Sequence, residues 1–401
     1  MKFGIIKERK NPPDRRVVFS PSELLELKSK FPNAEIKVEA SDIRVFLDSE
    51  YTENGFEISE DISDCDVLIG VKEVPVENLI PNKKYFFFSH TIKKQAYNRK
   101  LLKACIEKNI ELYDHEVIVN ENNTRLIGFG RYAGIVGAYN GIRAFGLKYE
   151  IFNLPKAEKL PNQEALITQL KKPFLPPIKI VLSGKGKVAM GAKEMLDGMK
   201  VKEVSVEDYL STTYTYPVYT MIDIKDYNIH KEGSLFDKND FYDNPQNFTS
   251  NFERFAEASD IFMAGHFYGN GAPIILSKEM LASSKCKIKV VADISCDIDG
   301  PIACTLRAST IAQPSYGYLP SEHKEVDMFH PSAIVVMAVD NLPCELPKDA
   351  SEGFGEMFLE HVIPAFFNND ADGILDRALI THNGKVTPRF AYLQNYLDGN
   401  E

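Results

Sequence analysis

The sequence predicts an α/β fold with two Rossmann-like domains, each a doubly wound parallel sheet, and a cleft between them. Short apolar runs alternate with helical stretches from residue 1 to about 120. A second apolar strand, Ile178 to Leu182, runs into a glycine-rich loop and a helix, and strand-like runs recur as DIFMAG, IKVVADIS and AIVVMAV. A chain of 401 residues also exceeds the size of a single hydrophobic core.

Composition excludes several classes of protein. Apolar residues make up 44% and charged residues 26%, as in an ordinary globular protein. The net charge of −10 argues against a nucleic-acid surface, and no apolar run reaches the roughly 18 residues of a membrane span. MKFGIIKERK is interpreted as a first strand and not a signal peptide. We therefore expect a cytoplasmic protein with small-molecule partners, no nucleic acid or membrane partner and no metal, and we leave a homo-oligomer open.

The first domain is built from alternating strands and helices. Ser20-Pro21-Ser22-Glu23 is a typical helix start, because proline suits the first turn and the acid there is favoured by the helix dipole. The predicted strands are KFGIIKE, AEIKVEA, DVLIGVKE, YFFFSH and IELYDHE, and the helices are SPSELLELKSKF and AYNRKLLKACIEK. Strands separated by helices predict a parallel sheet with both faces covered.

Residues 129–150 are rich in small residues at three- and four-residue spacing, which predicts a tightly packed helix leading into the second domain. The stretch 151–177 is interpreted as a surface excursion, and 211–250 as an insertion whose role the sequence does not give. The final TPRFAYLQNYLDG predicts an amphipathic helix that closes back onto the first domain.

The predicted domains are discontinuous, because VDNLP returns the chain to the first domain. Residues 1–135 and 345–401 form a predicted catalytic domain, and 136–344 form a predicted dinucleotide-binding domain.

The glycine loop predicts a dinucleotide site. A strand before it and a helix after it allow backbone amides and a helix N-terminus to hold a pyrophosphate. The acid that binds the ribose should end the next strand along the chain, but Ser205 stands there. Because a carboxylate is missing at this position and two lysines lie in the glycine loop, the sequence slightly favours NADP over NAD. The cofactor-binding candidates here are Gly184, Lys185, Gly186, Lys187, Val188, Ala189 and Ser205.

His90 and Lys72 each follow a predicted strand, and both are candidates for proton transfer. Histidine can both donate and accept a proton near neutral pH, whereas a lysine acts as a base only when its surroundings lower its pKa. The alternative is a structural histidine and a solvated lysine. Arg16 could bind a carboxylate with two hydrogen bonds, and Glu116 could bind an amine.

Several segments resemble the lysine-forming saccharopine dehydrogenases, also called lysine-ketoglutarate reductases, of the alanine dehydrogenase and transhydrogenase superfamily. They are KERKNPPDRRVVFSP, VLIGVKEVP, FFFSHTIKKQ, LYDHE, GFGRYAGIVGA, SGKGKVAMGA, VVADISCDIDGPI and VDNLPCELPKDAS. The resemblance implies that Lys72 and His90 are the acid-base pair, that Arg16 and Lys93 contact substrate carboxylates, that Glu73 and Glu116 lie near the substrate amines, and that Asp340 lies near the nicotinamide. The positive charge of Arg131 makes it a further candidate for the substrate carboxylates, and Leu342 is a further cofactor-binding candidate.

The reaction implied by this resemblance joins the ε-amine of lysine to the keto carbon of 2-oxoglutarate as an imine, which takes a hydride to give saccharopine. The site candidates carry both signs of charge, as three carboxylates and two amines require. Two alternatives stay open: an alanine dehydrogenase, and a catalytically silent NAD(P)-binding regulator. His266, which no segment of the resemblance explains, is interpreted as structural.

Overall fold

The computed structural model describes residues 1–269 and 271–400. The chain forms two compact units: Met1–Phe129 with Pro347–Glu401, and Gly130–Leu346. No helix in the part of the chain that the structure describes is long and apolar enough to cross a membrane.

The strands, in chain order, are β1 (Lys2–Ile5), β2 (Glu35–Glu39), β3 (Glu57–Ser59), β4 (Val67–Ile69), β5 (Lys84–Phe87), β6 (Glu111–Asp114), β7 (Lys179–Ser183), β8 (Lys202–Glu203), β9 (Val218–Ile222), β10 (Asn228–His230), β11 (Phe248–Ser250), β12 (Ile261–Ala264), β13 (Val290–Asp293), β14 (Ser315–Leu319), β15 (Lys324–Val326), β16 (Ile334–Met337), β17 (Leu379–His382) and β18 (Lys385–Val386).

The α-helices are α1 (Pro21–Lys30), α2 (Asp48–Glu53), α3 (Arg99–Glu107), α4 (Gly130–Lys148), α5 (Gln163–Leu170), α6 (Lys187–Gly198), α7 (Val206–Ser211), α8 (Ile224–Tyr227), α9 (Lys238–Asp243), α10 (Glu253–Ala256), α11 (Lys278–Ala282), α12 (Pro347–His361), α13 (Ile374–Ala378) and α14 (Gln394–Asp398). Short 3-10 helices lie at Val76–Asn78, Thr91–Lys93, Ala96–Asn98, His115–Val117, Ala157–Lys159, Pro245–Asn247, Leu342–Glu345, Ile363–Phe366 and Pro388–Leu393.

The first unit contains an eight-stranded sheet in the order β18-β17-β6-β5-β4-β1-β2-β3. Strands β6 through β3 in this order are parallel, and β17 and β18 add an antiparallel edge. The second unit contains another eight-stranded sheet, β15-β14-β16-β13-β12-β7-β9-β8, which is parallel from β16 to β8. Two parallel-dominated α/β sheets confirm the predicted fold class.

Both faces of the first sheet are covered, as its unbroken apolar strands require. On β5, Phe86 faces one core and packs edge-on against Phe358 of α12, with ring centroids 5.7 Å apart. The next residue, Phe87, faces the other core, which also contains Leu102 of α3. The chain's last helical segment, split between a 3-10 helix and α14, contributes Tyr396 to that second core.

In the second unit, α4 crosses α6 at glycines. A Cβ atom added at Gly134 would lie 1.9 Å from the carbonyl oxygen of Val188, and one added at Gly191 would lie 1.9 Å from that of Arg131. The two backbones are therefore in direct contact, which explains the small residues seen in the sequence. The helix α4 belongs entirely to the second unit, so the predicted domain boundary at 135/136 lies within it.

Candidate active site and dinucleotide site

Three adjacent parallel strands of the first unit end in titratable residues. Lys72 and Glu73 follow β4, His90 follows β5, and Glu116 follows β6. The strands are in register, with Ile69 beside Phe86 and Phe87 beside Asp114, so their carboxyl ends meet at one edge of the sheet. The sequence predicted this shared edge from separate segments.

His90 is held by Glu73. The Nδ1 atom of His90 lies 2.9 Å from Oε1 of Glu73, and Nζ of Lys10 lies 2.7 Å from the other carboxylate oxygen. Burial raises the pKa of Glu73, but the hydrogen bonds from His90 and Lys10 outweigh it and lower that pKa to about 2. A carboxylate on Nδ1 fixes the ring and directs proton exchange to Nε2. His90 also has a positive φ of 54°, a strained conformation that is frequent at functional sites.

The turn that carries Lys72 is held from two sides. The backbone N–H groups of Val71 and Lys72 donate to the carboxylate of Glu8, at 2.7 and 2.8 Å. From the other side, Nε2 of His115 donates to the carbonyl oxygen of Gly70 at 2.8 Å. Both side chains are buried, and neither Glu8 nor His115 was a site candidate in the sequence.

The pKa values of these two groups are shifted by burial. Desolvation and the neighbouring Asp14 raise the pKa of Glu8 to about 7. Desolvation lowers the pKa of His115 to about 3, so that imidazole is neutral at physiological pH. Its Nδ1 atom is buried with no hydrogen-bond partner in the described part of the chain. The carboxyl group of Glu8, which is partly ionised near neutral pH, and the neutral imidazole of His115 thus hold the backbone of the Lys72 turn from two sides.

Arg16 forms a buried ion pair. Its guanidinium donates to both carboxylate oxygens of Asp14, at 3.0 and 2.6 Å, and both side chains are only 3% exposed. Burial raises the pKa of Asp14, but the charge and hydrogen bonds of Arg16 prevail and lower it to about 2. The charge of Lys72 also acts on Asp14. Arg16 is therefore an oriented cation close to the Lys72 turn. Its guanidinium carbon lies 4.2 Å from the ring centroid of Phe129, a favourable cation–π contact.

Glu116 and Lys93 form a second charged pair. Nζ of Lys93 lies 3.1 Å from Oε1 of Glu116. The other oxygen, Oε2, is buried and has no hydrogen-bond partner among the described residues. A buried carboxylate oxygen without a donor is costly unless a ligand supplies one. An ammonium group is the donor that fits it.

The sequence reasoning missed Arg125. Its guanidinium carbon lies 5.3 Å from the ring centroid of Phe88, and its charge interacts with Glu116 and Asp114. The sequence around it, NENNTRLIG, is typical of a polar surface loop, so nothing there indicated a site residue. Arg131, which was assigned to the substrate, lies in the second unit and donates to both oxygens of Glu194 at 2.7 Å. The assignment of Arg131 to the substrate remains a prediction.

The glycine loop of the second unit joins β7 to α6. Gly184 has a positive φ of 95°, and a Cβ there would lie 2.6 Å from the carbonyl oxygen of Gly265, so only glycine fits. At Gly186, the N-cap of α6, no atom lies within 4 Å of an added Cβ. Lys185, Gly186 and Lys187 are exposed, Val188 is half-buried and Ala189 is buried. Open space over the first amides of a twelve-residue helix fits a pyrophosphate.

The expected position of Ser205 is wrong. Ser205 was placed at the tip of the strand beside β7, but β7 is flanked by β9, and β8 lies beyond β9 at the edge. Strand β8 pairs only with the start of β9, and Ser205 caps α7. The residue that follows the carboxyl end of β9 is Asp223, whose carboxylate accepts from the N–H of Ile224 at 2.8 Å.

The remaining cofactor candidates, Asp340 and Leu342, both follow β16 of the second sheet. Asp340 is exposed and follows β16, and Leu342 is buried at the start of a 3-10 helix. His266 follows β12, and its Nδ1 atom lies 2.7 Å from Oγ of Ser183, the residue before the glycine loop. Burial lowers the pKa of His266 to about 4, and its Nε2 has no hydrogen-bond partner in the described residues. His266 thus supports the end of β7.

Comparisons with known proteins cover nearly the whole chain. The model of the alanine dehydrogenase/PNT N-terminal domain matches residues 4–136, and that of the C-terminal domain matches 172–389. The alpha-aminoadipic semialdehyde synthase of Arabidopsis thaliana is 29% identical over an alignment that covers 99% of this chain and 42% of the synthase. The chain therefore spans less than half the length of that relative.

Two further proteins are similar to the chain, one in sequence and one in fold. The NAD(+), L-lysine-forming saccharopine dehydrogenase of Yarrowia lipolytica is 24% identical over 82% of this chain and 83% of its own length. A solved structure of an L-alanine dehydrogenase superposes with a TM-score of 0.67 at 17% identity and covers 100% of both chains. This last likeness concerns the fold.

Proposed function

The chain belongs to the alanine dehydrogenase/PNT family, and from this premise we propose that it is an NAD(P)-dependent oxidoreductase interconverting L-lysine plus 2-oxoglutarate with saccharopine. One observation carries the proposal: the buried Oε2 of Glu116, which has no hydrogen-bond partner among residues 1–269 and 271–400, lies on the strand edge that also carries the Glu73–His90 pair. An amine-binding carboxylate beside a proton-exchanging imidazole suits a reaction that joins an amine to a carbonyl. The similarity to saccharopine dehydrogenase supports this choice of substrate.

The proposed reaction consumes lysine, 2-oxoglutarate, a hydride and a proton, and it forms saccharopine and water. The ε-amine of lysine adds to the keto carbon, and loss of the hydroxyl as water gives the imine. The bound dinucleotide supplies the hydride that reduces the imine carbon. In this proposal Lys72 accepts the proton that the attacking amine releases, and His90 delivers a proton from Nε2 to the departing hydroxyl. Glu73 stabilises the protonated ring through Nδ1.

The cationic and acidic side chains are proposed to bind different groups of the substrates. Arg16, Lys93 and Arg125 are proposed to bind carboxylates, and Glu116 is proposed to bind an amine, because each has the matching charge. The first unit is thus the proposed catalytic domain, and the second unit is the proposed dinucleotide-binding domain.

The activity is tested by following oxidation of the reduced dinucleotide in two mixtures. Lysine plus 2-oxoglutarate should support oxidation, and ammonia plus pyruvate should not, because Glu116 and the carboxylate contacts serve the larger substrates. Oxidation with ammonia plus pyruvate alone would identify an alanine dehydrogenase. No oxidation in either mixture, with intact dinucleotide binding, would identify a silent binder.

The proposed cofactor preference now favours NAD. The lean to NADP depended on Ser205 standing beside β7, and Asp223 takes that position. A carboxylate there accepts hydrogen bonds from ribose hydroxyls and repels a 2′-phosphate. Lys185 and Lys187 in the loop remain the argument for NADP.

Replacing Asp223 by Ser is expected to weaken NADH binding by about ten- to hundredfold, since a hydrogen bond to a charged group is worth about 1.5–3 kcal/mol. NADPH binding should tighten, because the repulsion is removed. The measurement is the dissociation constant of both dinucleotides by calorimetry, with Ser205→Ala as the matched control that leaves both constants unchanged. NADPH binding more tightly than NADH to the parent protein would contradict the assignment.

A further inference from the structure

We propose that Asp114 is a positioning residue, which acts through Ser89 to hold His90 for proton transfer and acts directly on the backbone of Glu116. The inference rests on the proposed function, because it gives Asp114 and Ser89 a role in the same reaction. Neither residue is a site candidate in the sequence. Both side chains are fully buried, so they act through their neighbours and not by contact with a substrate.

The carboxylate of Asp114, the last residue of β6, connects the turns that follow β5 and β6. One oxygen, Oδ1, accepts from the N–H of Glu116 at 2.7 Å. The other, Oδ2, accepts from the N–H of Ser89 at 3.0 Å and also from the Ser89 hydroxyl. A single carboxylate reaches both turns because the two strands are adjacent, with Phe87 beside Asp114. It thus joins the backbone just before His90 to the backbone of Glu116.

Ser89 extends this connection to Thr91, on the other side of His90. While the Ser89 hydroxyl donates to Asp114, its oxygen stays available as an acceptor. That oxygen accepts from the N–H of Thr91 at 3.2 Å, and it lies 2.8 Å from Oγ1 of Thr91. Thr91 is also fully buried. The residues on both sides of His90 are therefore held by hydrogen bonds that water does not reach.

His90 needs this support because its backbone is strained. Its φ of 54° lies in the left-handed region, which a residue other than glycine keeps only where the surrounding structure holds it. The N–H of Lys93 donates to the carbonyl oxygen of His90 at 3.1 Å, but that bond fixes only the turn after it. If φ relaxed, the Cα–Cβ bond would turn and the ring would leave Glu73, whose Oε1 is 2.9 Å from Nδ1.

Ser89→Ala tests the proposal with the smallest change, since it removes the hydroxyl and keeps the N–H bond to Asp114. With all substrates at saturation, kcat should fall about ten- to hundredfold, as expected for a small displacement of a catalytic group. Dinucleotide affinity and the KM for lysine should stay at the parent values. Ser20→Ala is the matched control: it removes a buried serine hydroxyl from the N-cap of α1 and should leave kcat unchanged.

A double-mutant cycle separates the positioning of His90 from a general loss of structure. In the His90→Gln background, Ser89→Ala should change kcat by less than about threefold, because the place of the ring no longer matters once the ring is absent. The same loss of kcat in both backgrounds would overturn the proposal, since Ser89 would then act on something other than His90.

Asp114→Ala removes the connection to both turns. Besides the loss of kcat, the KM for lysine should rise at least about fivefold, because the turn that carries Glu116 loses its hydrogen bond to Oδ1. Thermal unfolding shows whether this variant is folded, and Ser89→Ala decides the proposal if it is not. A folded Asp114→Ala variant with the parent KM for lysine would overturn the part of the proposal that concerns Glu116.

The outcomes separate this inference from the proposed function. Parent protein that is active with lysine plus 2-oxoglutarate, while Ser89→Ala keeps nearly the parent kcat, overturns the positioning of His90 alone. Parent protein that binds a dinucleotide but is inactive with these substrates overturns the proposed function, and the positioning role with it.

Discussion

Replacing Lys72 by Met or His90 by Gln is expected to lower kcat by about 10²–10⁴-fold, the usual loss when a general acid or base is removed. Dinucleotide affinity should be unchanged, because the glycine loop lies in the other unit. Steady-state kinetics with saturating lysine, 2-oxoglutarate and reduced dinucleotide measures the effect.

Matched controls for these variants lie on the surface of the same unit. Lys100→Met and His361→Gln remove the same side-chain types from α3 and α12, outside the strand edge, and should leave kcat unchanged. If the Lys72 and His90 variants both keep nearly the parent kcat with intact dinucleotide affinity, the acid-base assignment fails and other groups of the site must transfer the protons.

The second large effect is on stability, at the crossing of α4 and α6. Gly134→Ala is expected to destabilise the protein by about 3 kcal/mol or more, because a methyl group 1.9 Å from the Val188 carbonyl oxygen must push two packed helices apart. Alanine favours a helix over glycine by about 1 kcal/mol, so helix propensity alone predicts the opposite sign. Urea unfolding followed by circular dichroism distinguishes the two.

Gly186→Ala is the control for that substitution. No atom lies within 4 Å of a Cβ at Gly186, so the urea midpoint should fall far less than for Gly134→Ala, by no more than the roughly 0.5–1 kcal/mol that alanine costs at a helix N-cap. A Gly134→Ala variant as stable as the parent would mean that the two helices separate at little cost, and the close backbone contact would then not be a requirement of the fold.

Local sequence patterns predicted most of the strands but not their order. The runs DVLIG, YFFFS and DIFMAG became β4, β5 and β12, because a strand buried on both faces is continuously apolar. The error at Ser205 came from taking the next strand along the chain as the neighbour of β7. Strand β8 is exposed and two residues long, whereas β9 is largely buried, so its apolar run VYTMI was the signal for the neighbour.

Site residues that directly follow a strand could be predicted from the sequence. Residues that reach the site from a distant part of the chain could not. Lys72, His90 and Glu116 each end an apolar run, so the sheet edge could be inferred. Glu8 and His115 matter only through hydrogen bonds to a turn more than forty residues away in the chain, which no local pattern records. Arg16 and Asp14 are only two residues apart, but the ring of Phe129, which lies 4.2 Å from the Arg16 guanidinium carbon, is more than a hundred residues away in the chain.

The central claim is that this chain joins the ε-amine of lysine to 2-oxoglutarate. Following the ε nitrogen of lysine into the product tests this claim most directly. The parent protein is incubated with 2-oxoglutarate, reduced dinucleotide and lysine carrying isotope-labelled nitrogen at the ε position, and the products are identified by mass spectrometry. The account predicts saccharopine that retains the label in its secondary amine, formed in a one-to-one ratio with oxidised dinucleotide. Dinucleotide oxidation without labelled saccharopine would contradict it.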